Sequence, residues 1–212
     1  LARKKKVENN FGIFLDAPDP YFQDDYSLMY GKINYDIKQW YNDLNNFLRI
    51  AEQTFKCKII IIPHPKVKGI VNPHYDKHFR VCNDLDAAHK LIPASKIVFS
   101  MNGSTSIGLA IASQKKVVII YNKLIKKKNY QLFEETKFAA KKSNSFFLNI
   151  NNFEIKNLKN IKKIKNFKEN RIYKNYIYNY MTSKKISKKE NHEIFEDLVK
   201  KIKSDDLSRN CL

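Results

Sequence analysis

The stretch Cys57-Lys58-Ile59-Ile60-Ile61-Ile62-Pro63-His64-Pro65 decides the fold. Four consecutive isoleucines are β-branched and carry no polar alternation, which predicts a strand covered on both faces, as in a parallel sheet. Pro63 has no backbone N–H to give to a ladder and ends the strand. Cys57, at its start, reads as a small buried hydrophobe. Upstream, Ile37, Trp40, Tyr41, Leu44, Phe47, Leu48, Ala51 and Phe55 recur at spacings of three and four, which predicts an amphipathic helix over 35–55. Before it, Phe11–Leu15 reads as a buried strand that runs into Asp16-Ala17-Pro18-Asp19-Pro20.

Downstream, residues 66–83 read as an irregular surface loop, with Gly69 and Pro73. Asp84 can cap a helix that stops at Pro93. Lys96–Ser100 and Lys116–Tyr121 repeat the strand signature, separated by Asn102-Gly103-Ser104-Thr105-Ser106 and a helix through Ile107, Leu109, Ala110 and Ile111. A mixed helix over 128–142 and a strand at 146–148 extend the alternation. Residues 151–168 show only irregular apolar spacing; 171–181 and 188–202 read as helical. Strand and helix alternating over short connections call for an α/β, Rossmann-like parallel sheet with helices on both faces. The expected division is a Rossmann-like domain at 1–150 and a basic, mostly helical extension at 151–212.

Composition limits the function classes. At 212 residues and 43% hydrophobic, the chain can build one good core. No apolar run approaches the roughly 20 residues that span a bilayer. Leu1–Val7 is basic but lacks the apolar stretch of a secretory signal, and the chain begins without Met, which reads as a fragment or excised domain. Cys57, Cys82 and Cys211 follow no metal-ligand spacing and fit a reducing, cytoplasmic setting. The formal charge of +19 is uneven: +6 over residues 1–122 and +13 over 123–212. The excess thus lies outside the segment with the motifs, and abundant Lys, Asn and Ile together read first as compositional bias. Anionic lipid is the next reading and nucleic acid the last.

In an open parallel sheet, ligands bind beyond the carboxyl ends of the strands. Three polar clusters fall at such ends: Asp16, His64-Pro65, and Asn102-Gly103-Ser104-Thr105-Ser106. Gly103 permits a sharp turn, and the following helix start offers free N–H groups and hydroxyls to phosphate oxygens. Ser104 or Thr105 can equally serve as a simple cap. His64, held between two prolines, suits a preorganised contact with an anion as imidazolium or as a neutral donor, or simply bonds nearby backbone. Asp16 can bind a sugar hydroxyl, act as a base, or close an Asx turn. His74, His78 and His89 lack paired-ligand spacing, so no metal is expected. Neither a P-loop nor a dinucleotide fingerprint is present.

On these residues, the segment from about Phe11 to Tyr121 resembles the nucleotide-binding half of GT-B glycosyltransferases, above all bacterial surface-polysaccharide enzymes that use CMP-sugars. Bacterial sialyltransferases and capsule Kdo transferases carry a His-Pro after a strand and a Ser/Thr-rich helix start that contact the CMP. His64-Pro65 is similar to the first, and Ser104-Thr105-Ser106 to the second. The resemblance implies a donor-binding domain transferring a sialic acid-like or Kdo-like sugar to a glycan or glycolipid acceptor. It implies cytoplasmic location at or near the inner membrane face, with peripheral contact to anionic lipid and no cofactor beyond the nucleotide-sugar donor. Teichoic-acid glycerophosphotransferases, with CDP-linked donors, are a related alternative; a basic nucleic-acid-binding module is the non-enzyme one. The acidic-acidic-Gly motif that supplies the base in sialyltransferases does not occur, since Asp24-Asp25 precedes Tyr26. The resemblance therefore implies that the base lies in an absent acceptor half.

Overall fold

A computed structural model describes residues 10–23, 28, 31, 34–67, 69, 72–101, 106–163, 171–181, 188–190 and 192–200. The strands are β1 (Phe11–Leu15), β2 (Lys58–Ile62), β3 (Arg80–Val81), β4 (Ile97–Met101), β5 (Lys116–Tyr121) and β6 (Phe146–Asn149). They form one sheet in the order β3-β2-β1-β4-β5-β6, every neighbouring pair parallel. This is the doubly wound Rossmann order, in which the chain proceeds one way from β1 and then the other from β4. The crevice at that reversal lies beyond the carboxyl ends of β1 and β4.

The isoleucine run behaves as its composition requires. Ile59–Ile62 are all buried, and so are Ile97–Met101 of β4 and the four central residues of β5. On one face, Phe14, Ile59, Ile61, Phe99, Met101, Val118 and Ile120 meet α1 (Ile37–Phe55) in a continuous core. Trp40, Tyr41, Leu44, Phe47, Leu48, Ala51 and Phe55 form the buried stripe of that helix, the set its periodicity picks out. Asp36 caps its start by accepting from the Gln39 N–H at 3.0 Å. Residues of opposite parity, Ile13, Ile60, Val98, Val117 and Ile119, are buried as well. α3 (Ser106–Ala112), with Ile107, Ala110 and Ile111 buried, packs against β5.

Several elements differ from the expectation. The 66–83 loop contains β3, two exposed residues paired with Ile60 and Ile61, too short for any periodicity to register. α2 (Ala87–Leu91) starts later than an Asp84 cap would place it. The helix expected at 128–142 is α5 (Tyr130–Ser143); a short helix that was not expected, α4 (Lys123–Lys128), precedes it, and Asn129 divides the two, its side chain accepting from the Leu132 N–H. α6 (Ile155–Lys163) occupies a stretch read as irregular; its Leu158 and Ile161 are four or fewer residues apart and buried against α1.

The chain divides into two compact units, Leu1–Tyr173 and Lys174–Leu212. α7 (Arg171–Tyr176), continued by a π turn at Ile177–Met181, spans the division. In the first unit, the Tyr173 hydroxyl donates to the Lys115 carbonyl at 3.0 Å. In the second, residues 192–200 are helical and Lys189 pairs with Asp197. Among the described residues, no helix is long and apolar enough to cross a membrane.

Gly12 marks how closely β1 and β4 approach. A Cβ there would lie 3.1 Å from Ile97 Cγ2, with the Ile97 carbonyl oxygen at 3.5 Å and Cys57 Sγ at 3.6 Å. Gly12→Val should therefore overpack the sheet and lower stability by about 1–3 kcal/mol. The midpoint of urea unfolding measures this; a midpoint equal to that of the parent would mean that Ile97 yields without cost.

Candidate functional site

The carboxyl end of β1 carries a carboxyl that water hardly reaches. The Asp16 N–H donates to the Ile62 carbonyl at 3.0 Å, which pins this residue to the end of β2. Its side chain is 6% exposed. Oδ1 accepts from the Ala17 N–H at 2.9 Å, and Oδ2 accepts from the Tyr75 hydroxyl. Burial pushes the carboxyl up to about 7, against the opposing pull of the Tyr75 and Ala17 hydrogen bonds, and Asp19 adds a small push of the same sign. Asp19 is buried too and raised to about 6 by burial, with the Tyr35 hydroxyl opposing. The Asx-type bond to Ala17 and a place in the lining of a cleft thus coexist at Asp16.

At the end of β2, the Pro63-His64-Pro65 segment enters a 3-10 turn, Pro65–Val67. The Val67 N–H donates to the His64 carbonyl at 2.9 Å, and the Lys66 N–H donates to His64 Nδ1 at 3.3 Å. An accepting Nδ1 leaves the proton on Nε2, so the ring is a neutral N–H donor. Partial burial depresses the imidazole below its ordinary value, in agreement with that tautomer. Of the two forms in which His64 could meet an anion, the neutral donor is the one its surroundings favour.

Two clefts adjoin at these strand ends and share Asp16, Pro63 and Asn83. The first, about 460 Å³ with its mouth, lies between Asp16, Tyr21, Tyr41, Asn72 and Tyr75. The second, about 620 Å³ with its mouth, holds His64 and Pro65 together with Cys82, Asp84 and Leu85. Tyr41 stacks on His74 at 5.3 Å between centroids and meets Tyr75 edge-on at 5.6 Å, while Tyr21 meets His74 edge-on at 5.7 Å. The Asn72 side chain faces the hydroxyls of Tyr41 and Tyr75, and its Oδ1 accepts from the His74 N–H.

Sequence reasoning places Asp16, His64 and Pro65 together, and the structure does the same. Asn102, Gly103, Ser104 and Thr105 lie outside the described residues; Ser106 is described only as the first residue of α3. Tyr75 and Asn72 were absent from that reading. Tyr75 is 59 positions from Asp16 and sits in a loop, so no spacing links them. Tyr41 belongs to the apolar stripe of α1, and stripe membership conceals that its ring also walls the cleft. The remaining histidines go elsewhere: His74 into the aromatic stack, and His78 to Glu52, Nε2 to Oε2 at 2.6 Å. Among the described residues, no three metal-ligating side chains come together. Compared with known family models and with curated proteins, the chain matches neither.

Proposed function

We propose that this chain is the donor-binding unit of a glycosyltransferase-type enzyme that uses a cytidine nucleotide-linked donor. One observation carries the reading: Asp16 and His64, at the ends of adjacent parallel strands, line adjoining clefts beside the strand-order reversal. In this reading the His64 Nε2–H donates to a phosphate oxygen of the donor and offsets the charge that grows on it as the bond to the transferred group breaks. Asp16 lies beside that phosphate and accepts a hydrogen bond from a hydroxyl of the group carried on it. The resemblance of His64-Pro65 to the GT-B His-Pro motif selects the nucleotide. A glycan or glycolipid acceptor, and contact of the basic 151–212 segment with anionic lipid, belong to the same proposal.

A thermal-shift panel of CMP, CDP, UMP, UDP and GDP tests it. CMP or CDP should raise Tm, since a ligand at about 100 times its Kd stabilises by about 2.7 kcal/mol. His64→Ala should remove that shift; His64→Gln, which keeps an N–H at similar reach, should retain part of it. If no nucleotide stabilises the fold, the reading is wrong.

A further inference from the structure

The amino edge of the sheet, opposite the two clefts, carries a groove that donor binding does not use. Asn10, Cys57 and Lys96 stand just before β1, β2 and β4, and those strands are parallel, so all three residues share that edge. Strands of 5 residues, roughly 17 Å long, separate it from the clefts. The groove encloses about 1090 Å³ with its mouth, and its lining includes Arg49, Lys56, Lys58 and His78. Lys96 and Lys162 adjoin it. Lys96 Nζ donates to Asn10 Oδ1, Lys162 Nζ donates to the Thr54 carbonyl at 2.7 Å, and both charges act on the Cys57 thiol of the lining. Both acceptors are neutral, so these bonds fix the ammonium groups without cancelling their charge.

Negative charge stands here too, and it has to be set against the lysines. Glu52 lines the groove, with Oε1 accepting from the Ile59 N–H at 2.7 Å, Oε2 at 2.6 Å from His78 Nε2 and Lys58 Nζ at 3.9 Å. Asp76 pairs with Arg49. Once Lys58 is set against Glu52 and Arg49 against Asp76, Lys56, Lys96 and Lys162 remain as an excess of positive charge among the described residues. The carbonyl ends of α1 and α6 also point here, each worth about half a negative charge. Their carbonyls are already engaged: Glu52 by the Lys56 and Cys57 N–H groups, Thr54 by Lys162, and Ile161 and Lys162 by Lys116 Nζ. Three lysines outweigh the two helix ends. We propose that this groove binds a phosphate-type anion, the chemistry shared by free phosphates and anionic lipid headgroups, through charge-assisted bonds from its lysines. The proposal does not depend on the donor-binding reading.

Calorimetry with inorganic pyrophosphate, and cosedimentation with phosphatidylcholine vesicles with and without phosphatidylglycerol, test it on the whole chain. Salt of about 0.1 M screens exposed charges more than about 10 Å away. Binding of pyrophosphate identifies a free phosphate as the ligand; binding to phosphatidylglycerol vesicles alone identifies the headgroup. In either case Lys56→Glu with Lys58→Glu should weaken binding at least about tenfold. Lys127→Glu with Lys128→Glu makes the same charge change on exposed α4, beyond the carboxyl end of β5, and should weaken it by less than about threefold. Lys56 caps α1 at φ 51°, a conformation glycine adopts freely. Lys56→Gly with Lys58→Gln therefore removes charge without straining the cap, and should weaken binding in the same sense if the glutamates disturb the fold. The proposal is overturned if neither anion binds, if the groove variants bind as the parent does, or if the α4 pair weakens binding as much as the groove pair. Nucleotide binding is read separately at His64, so the donor-binding reading and this one can fail independently.

Discussion

Asp16→Asn should make the protein more stable at pH 8 than the parent, and the gain should shrink as the pH falls toward 4. The folded state holds the Asp16 carboxyl near 7, whereas the unfolded chain returns it to its ordinary 3.8. A folded pKa above the unfolded one means that stability is fully present below 3.8 and is lost as the pH rises through the folded value. The loss is complete slightly above pH 7 and corresponds to roughly 4 kcal/mol for an almost fully buried group. Asparagine keeps the Ala17 bond through Oδ1 and a partner for the Tyr75 hydroxyl, but has no proton to lose. Denaturant titrations of both proteins at pH 4, 6 and 8 measure the effect; an equal difference at all three values would show that Asp16 is ionised and well stabilised in the fold. Asp19, raised only to about 6, should show a smaller effect of the same sign. A carboxyl raised by burial beside the strand-order reversal is what the donor-binding proposal calls for at Asp16.

The fold was legible because its deciding signals are short-range. Ile59–Ile62 and Lys116–Tyr121 carry their burial in composition, and the α1 stripe carries its in spacing. Ligand geometry is long-range, and there legibility ended. Asp16 and His64 could be paired because each follows a strand, and parallel topology collects strand ends at one edge. Tyr75 reaches Asp16 from a loop with no periodicity, and Asn72 reaches the tyrosines the same way. β3 escaped because two exposed residues leave no pattern. The case of α6 is different: Leu158 and Ile161 form a legible stripe, but lysines and asparagines at nearly every other position obscure it. In so basic a chain, polar composition is a weak guide to where the core stops.

Phe99→Ala should lower stability by about 3–5 kcal/mol, a large part of the roughly 5–15 kcal/mol that holds a domain together. Phe99 is fully buried in β4 and meets Phe47 edge-on at 5.6 Å and Phe55 edge-on at 5.9 Å, both from α1. Phe47 in turn meets Phe153 at 4.9 Å, just before α6. The rings thus link the central sheet, α1 and the 150–163 segment, where Leu158 and Ile161 continue the same core. Removing the middle ring deletes its apolar contact and leaves a cavity that rigid neighbours on both sides cannot close. Because one cluster spans all three elements, α6 should lose protection together with the sheet. Hydrogen exchange would then show Leu158 and Ile161 opening at the same free energy as β4, in the parent and in Phe99→Ala alike. If α6 instead exchanges independently while β4 is destabilised, the aromatic link does not couple them, and residues 151–163 are an appendage. Coupled opening would place the end of the cooperative unit beyond Lys163, in keeping with a compact unit that runs to Tyr173.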